Sequence, residues 1–221
     1  MKNHVQSSGY YPIFLNVQGK KCLVVGGGEV ALRKVKTLLE HAANVEVVGL
    51  ELCPELSRLA RGGKIKSRTK SYNSTDVKGA LIVIAATDNA KTNERIAADA
   101  KKQGVLVNVV DTPEHSDFIV PSTLERGDII IAVSTSGKSP ALARKIRTEL
   151  ESKFGEEYGK LAATVSEVRN QLRQEGIALA NEAWQEVLRL DALTSLLRED
   201  KVQEAKDIML DKLRKLGQKE S

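Results

Sequence analysis

Apolar positions along the chain fall into two patterns. Four unbroken runs, KCLVV (21–25), VEVVGL (45–50), ALIVIAAT (80–87) and VLVNVVD (105–111), predict strands buried on both faces. Between them the spacing widens to that of a helix. Val30, Leu32, Val35, Leu38 and Leu39 mark a helix over 29–41. Pro54 opens a short helix that Gly62-Gly63 ends, and Gly104 closes another over 90–103. KIKSRTKSY (64–72) is a weak, polar strand suited to a sheet edge. Strand and helix in alternation imply an α/β fold, a Rossmann-like doubly wound parallel sheet.

After Pro113 the rhythm changes. FIVPSTL and DIIIAVS flank ERGD and predict paired strands, with Pro121 marking an edge or bulge. A helix follows over 139–153, with Pro140 in its first turn. From 156 onward the pattern is amphipathic and helical, with breaks expected near Gly155, Gly176 and Asp191. The expected organisation is a Rossmann-like domain over 1–112, a small α+β dimerisation segment over 113–150, and a helical domain over 151–221.

The first strand runs straight into Gly26-Gly27-Gly28-Glu29-Val30-Ala31, which satisfies G-x-G-x-x-A at the opening of a helix. In such a turn Gly26 makes the tight bend, Gly28 admits a pyrophosphate close to the backbone, and Ala31 lets helix and strand pack closely. The helix N-terminus adds N–H groups and a partial positive charge. Glu51, 25 positions after Gly26 and just past Leu50, can accept hydrogen bonds from ribose hydroxyls and would repel a 2′-phosphate, so NAD is expected over NADP. Thr87, Asp88 and Asn89 end the strongest strand; they either line the nicotinamide side or cap the next helix.

Charge sharpens this picture. The chain carries a net charge of +5, but residues 151–221 hold 12 Lys/Arg against 14 Asp/Glu, and the first 150 hold 22 against 15. The first part therefore favours an anionic partner. Aromatics at 4% leave little for base-stacking platforms, and no nucleic acid partner is expected. Two cysteines without a CxxC fit a reducing cytoplasm. No apolar run approaches the roughly 18 residues of a membrane span, and the opening residues lack the core of a signal peptide.

A rival motif lies further on. AVSTSGKS (132–139) matches a phosphate loop in the form that allows Ala first, and VLVNVVD resembles a strand bearing a magnesium-binding Asp. That would make the chain a nucleoside triphosphatase. Ala132 in place of a glycine, Pro140 directly after Ser139 and the late position argue against it. Ser139 as a helix cap with Pro140 behind it is the plainer reading. A third is that Ser134, Thr135, Ser136, Gly137 and Lys138 grip an anionic substrate.

Four ordered blocks carry a resemblance. YYPIFLNVQGKKCLVVGGGEVALRKVKTLLE, AATDNAKTN, VNVVDTPEHSDFIVPS and AVSTSGKSPALARKIRTELE resemble the precorrin-2 dehydrogenase / sirohydrochlorin ferrochelatase family of sirohaem synthesis, over roughly residues 10–155. The resemblance implies NAD-dependent oxidation of precorrin-2 to sirohydrochlorin, with ferrous iron inserted afterwards in some members. It implies a homodimer built by the strand pair and C-terminal helices, and a stand-alone form without a methyltransferase domain. Asp111 matches the family's catalytic aspartate, a base in dehydrogenation and a proton acceptor in chelation. Thr135 stands where some members have a serine.

The substrate so implied bears eight carboxylates, which suits Arg33, Lys34, Lys138, Arg144 and Lys145 as contacts. Asn108, on the strand that ends at Asp111, is a further substrate candidate, although alternation would turn it into the sheet's cover. His4, His41 and His115 are not spaced as a metal cluster; His115, four residues past Asp111, is the one that could approach a ring centre. The other class of function open to this sequence is a redox or tetrapyrrole sensor that binds NAD without turnover.

Overall fold

The structure, a computed structural model, describes residues 9–218. His4 lies outside them. The chain divides into two compact units, Met1–Val120 and Pro121–Ser221. The stretch 113–150 is thus shared: its first residues go with the sheet, and the strand pair and its helix go with the C-terminal helices.

The first unit is a five-stranded parallel sheet in the order β3-β2-β1-β4-β5. Its strands are β1 (Lys21–Val25), β2 (Asn44–Gly49), β3 (Lys66–Thr69), β4 (Ile82–Ala85) and β5 (Leu106–Val109), and its helices are α1 (Glu29–Glu40), α2 (Pro54–Arg61) and α3 (Ala90–Lys102). The alternation of side chains along each strand feeds two cores. Cys22, Val24, Val45 and Val47 pack with Val35 of α1 and Leu56 of α2. Leu23, Val25, Val48 and Val83 pack with Ile96 and Ala100 of α3. Both faces are covered, which is why the inner strands are predominantly apolar, with Glu46 in β2 and Asn108 in β5 as interior exceptions. β3 alone is exposed throughout, as its KSRT sequence predicts for an edge. Strand order reverses between β1 and β4, and a crevice opens at the carboxyl ends there.

The far edge, β5, is closed by a return segment, not a sixth strand. Val107 N–H donates to the Asp117 carboxylate (3.0 Å), Val109 N–H to Ser116 Oγ (2.9 Å), and Asp117 N–H back to the Val107 carbonyl (2.8 Å). Side chains thus stand in for a ladder and satisfy groups an edge would leave unpaired.

In the second unit β6 (Ser122–Arg126) and β7 (Ile129–Val133) form an antiparallel pair that turns at Gly127 (φ +55°), and α4 (Pro140–Lys153) packs on it. The remaining helices are α5 (Glu157–Gln174), α6 (Asn181–Val187), α7 (Leu190–Arg198) and α8 (Val202–Gly217). They share a core of Leu161, Val168, Leu172, Leu197, Met209 and Leu213. The breaks expected near Gly155, Gly176 and Asp191 are present, the last at 188–189, and one further break comes at Glu199–Lys201. There Asp200 takes a left-handed conformation (φ +59°), with Lys160 on its carboxylate at 2.6 Å. An aspartate does at this point what the sequence pattern looks for in a glycine.

Candidate active site

The crevice is a cleft of about 1140 Å³ whose walls come entirely from the first unit. They are the turn 25–30, the end of β2 through 48–54, residues 70–72 after β3, residues 86–89 after β4, and Val110-Asp111 after β5. Five strand ends converge on one space, as an open parallel sheet dictates.

The three glycines divide the work differently from the expectation. Gly26 bends the chain at φ +133°, and its N–H donates to the Val48 carbonyl (2.8 Å). Gly27 is the tightest: an added Cβ would lie 1.7 Å from the Glu51 carbonyl oxygen, and its own carbonyl accepts from Cys53 N–H (2.8 Å). It joins the β1 and β2 turns, a role the motif's letters do not assign. A Cβ on Gly28 would meet nothing within 4 Å. It would project where a bound diphosphate needs room. Gly28 is also the N-cap of α1 and offers no side-chain cap, so the first N–H groups of α1 stay available. Glu29 and Val30 form the exposed lip of the first turn, and Ala31 is buried against the sheet. These residues fit a dinucleotide. The open backbone at Gly28 would take the diphosphate, and exposed Glu51, beside exposed Leu50, would take the ribose hydroxyls.

At the opposite wall, the capping reading of 87–89 holds, and the same residues line the cleft. Thr87 Oγ1 donates to Asn93 Oδ1 (2.7 Å), Asn93 returns a bond to the Thr87 carbonyl (2.9 Å), and Asn89 caps α3 by accepting from Thr92 N–H (2.8 Å). Thr87, Asp88 and Asn89 also line the cleft. Capping fixes the loop, and the loop forms the wall.

Asp111 is exposed on the cleft in a left-handed conformation (φ +60°). Such a backbone costs free energy, least for Asp and Asn among side-chain-bearing residues, and here it sits in a turn that Thr112 N–H closes on the Val109 carbonyl (3.2 Å). Lys34 of α1 is within electrostatic reach. Burial and Arg33 lower its ammonium from the usual value, while Asp111 pulls it back up. Asn108 does not face the cleft. It is buried, and its amide donates to the Phe118 carbonyl (2.9 Å), so it ties the return segment to β5 instead of touching a ligand. His115 is half-buried in the short 3₁₀ turn Pro113–His115 that opens this segment. Among the described residues, no three His, Cys, Asp or Glu side chains gather as a metal site.

The Ser134–Lys138 loop and Arg144 belong to the second unit. Thr135 Oγ1 accepts from Ser139 N–H (2.9 Å), Ser134 Oγ from Ser136 N–H (3.0 Å), and Ser139 caps α4 through Leu142 N–H (3.2 Å). Ser136 and Gly137 are both left-handed, and Lys138 and Arg144 are exposed. The strand before this loop, β7, pairs only with antiparallel β6. The parallel strand–loop–helix of a triphosphatase is therefore not what this loop belongs to.

Two families match the chain in succession. One, described as "Putative NAD(P)-binding", matches residues 13–122, and the other, "Sirohaem biosynthesis protein central", matches 126–153. The second match places a sirohaem biosynthesis segment directly after the NAD(P)-binding one. The NAD(P)-binding match falls almost entirely on the first unit. Among relatives, the siroheme synthase of Nitrosococcus oceani is 44% identical over 181 residues, covering 81% of this chain and 39% of that protein. The siroheme synthase of Methylococcus capsulatus is 42% identical over 165 residues (75% and 35%), and that of Vesicomyosocius okutanii subsp. Calyptogena okutanii is 37% identical over 199 (89% and 42%). The chain spans about two fifths of the length of these relatives. A solved structure titled "SirC, precorrin-2 dehydrogenase" superposes with a TM-score of 0.71 at 24% identity, covering 93% of this chain and all of that one, and so shares the fold.

Proposed function

We propose that the chain oxidises precorrin-2 to sirohydrochlorin with NAD in sirohaem synthesis. The observation that carries this reading is that the glycine turn and Asp111 open onto one cleft. When bound, the oxidised dinucleotide supplies a hydride acceptor. The chain's own residues do the rest. Gly28 and the α1 N-terminus hold the diphosphate, Glu51 orients the ribose, and the Asp111 carboxylate accepts the proton that leaves the macrocycle as the hydride departs. The basic first part, with Arg33 and Lys34 on α1, attracts the carboxylates of the substrate. NAD over NADP follows from Glu51, whose charge a 2′-phosphate would meet directly.

The test is to incubate the purified protein with precorrin-2 and NAD and follow the absorbance of sirohydrochlorin. Asp111→Asn is expected to lower kcat by about 10²–10⁴, the range for loss of a general base, while NAD binding is kept. Undiminished turnover in that variant removes the base assignment. NAD binding by the wild type without product leaves a sensor instead of an enzyme. Ferrous iron insertion forms a second arm, read as sirohaem above a no-protein control; His115→Ala asks whether that side chain contributes. We further infer a homodimer in the cytoplasm, a tetrapyrrole as its small-molecule partner, and Ser134, Thr135, Ser136, Gly137, Lys138 and Arg144 as anion contacts of the second unit.

A further inference from the structure

A charged cluster on the edge strand has no part in the function above. Asp76, in the short 3₁₀ turn Ser74–Val77, is 1% exposed. Its carboxylate accepts from Lys70 Nζ at both oxygens (2.9 and 2.8 Å), from Asn73 N–H (2.9 Å), and is paired with the Arg68 guanidinium (2.9 Å). Arg68 also reaches Glu46 (3.0 Å), which Lys21 approaches at 3.4 Å. Three cations thus share two carboxylates, and the cluster keeps a positive balance.

Lys70 is also part of the cleft wall. Its N–H donates to the Gly49 carbonyl (2.9 Å) directly after the last β2–β3 pair, Gly49 with Thr69, so Lys70 leaves the sheet at the same carboxyl end as Leu50 and Glu51. Lys70 is therefore a cation lining the same cleft as Glu51, the residue that would meet the adenosine ribose. A 2′-phosphate needs such a cation, because charge-assisted hydrogen bonds are what stabilise a dianion in a cleft. Asp76 already occupies that ammonium.

We propose that Asp76 is a specificity-determining residue, which holds Lys70 and Arg68 against the sheet edge and so withholds from the adenosine end of the cleft the counter-charge a 2′-phosphate requires. Glu51 repels the phosphate, and Asp76 removes the partner that would offset this repulsion. The inference rests on the dinucleotide reading of the cleft, and its test uses binding alone, without substrate or turnover.

The affinities of NAD and NADP are measured by titration for the wild type, Asp76→Asn and Asp76→Asn with Lys70→Met. Asn keeps the size and the acceptor for Asn73 N–H while removing the charge. NADP is expected to gain about tenfold relative to NAD in Asp76→Asn, the order of one charge-assisted hydrogen bond, and to lose that gain in the double variant. An unchanged ratio in Asp76→Asn, or a gain that survives Lys70→Met, overturns the proposal. Should Asp76→Asn not fold, Glu51→Gln is compared with Glu51→Gln plus Lys70→Met. With Asp76 in place, Lys70 is expected to change NADP affinity by less than about twofold, and a larger loss, near the tenfold of a direct contact, overturns the proposal. A wild type that binds neither dinucleotide overturns the cofactor reading too, a result distinct from an unchanged ratio.

Discussion

A methyl group at position 27 would lie 1.7 Å from the Glu51 carbonyl oxygen, whereas one at position 28 would touch nothing in the protein. The two glycines therefore serve different ends, one the fold and one the ligand. Gly27→Ala is expected to destabilise the protein by about 2 kcal/mol as the β2 turn moves aside. Gly28→Ala is expected to leave the urea midpoint in place while NAD affinity falls at least about tenfold, since the methyl occupies phosphate space. Urea melts and dinucleotide titrations on both variants separate these outcomes. The motif's letters located this turn but not its division of labour, because Gly27's constraint comes from a carbonyl 24 residues away. Asn108 is the converse case. Its alternation along β5 indicated a covered side chain, and its bond to the Phe118 carbonyl bears that out. Asp111's place at a strand end was legible; its left-handed backbone was not, because it arises in a turn closed by Thr112 N–H on the Val109 carbonyl.

At the scale of elements, the long apolar runs were legible because a parallel sheet covered on both faces leaves few polar positions along its strands. The weak strand β3 was legible as an edge, but the cluster it carries was not, since Asp76 arrives from a separate turn. Burial alone would push Asp76 up, but the Lys70 ammonium, the Asn73 amide and the Arg68 guanidinium outweigh it and hold its carboxyl below the usual range. Its folded-state value thus lies below the unfolded one. The stabilisation is complete above the unfolded value of about 3.9 and is lost as pH falls through the folded one. The stability gap between wild type and Asp76→Asn, measured by urea unfolding, should be about 2 kcal/mol at pH 6, begin to narrow only below about pH 4, and close once pH is under the folded value. The figure is held down because Lys70 and Arg68 are 39% and 44% exposed. By contrast, burial pushes the Cys22 thiol up to about 11, which suits packing in β1 and not chemistry.

For the whole molecule, the helical tail was legible in outline, with its last break hidden in Asp200 because no glycine or proline announces it. The strand pair β6–β7 was legible from ERGD between two apolar runs. An isolated pair of strands is marginal in water, and here Ile130 (38% exposed) faces away from the buried side while α4 shows Leu142 (51%) and Ile146 (37%). Replacing Ile130 with lysine is expected to turn the proposed dimer into a monomer in light scattering without lowering the helical signal in circular dichroism; an unchanged mass would place the interface elsewhere. The borders of the large sheet bear on the same point. On one side every residue of β3 is solvated and two of the four are basic, and on the other Ser116 and Asp117 occupy the amides a newcomer would need. Both borders are poor templates for a neighbour, which disfavours growth by strand addition into filaments.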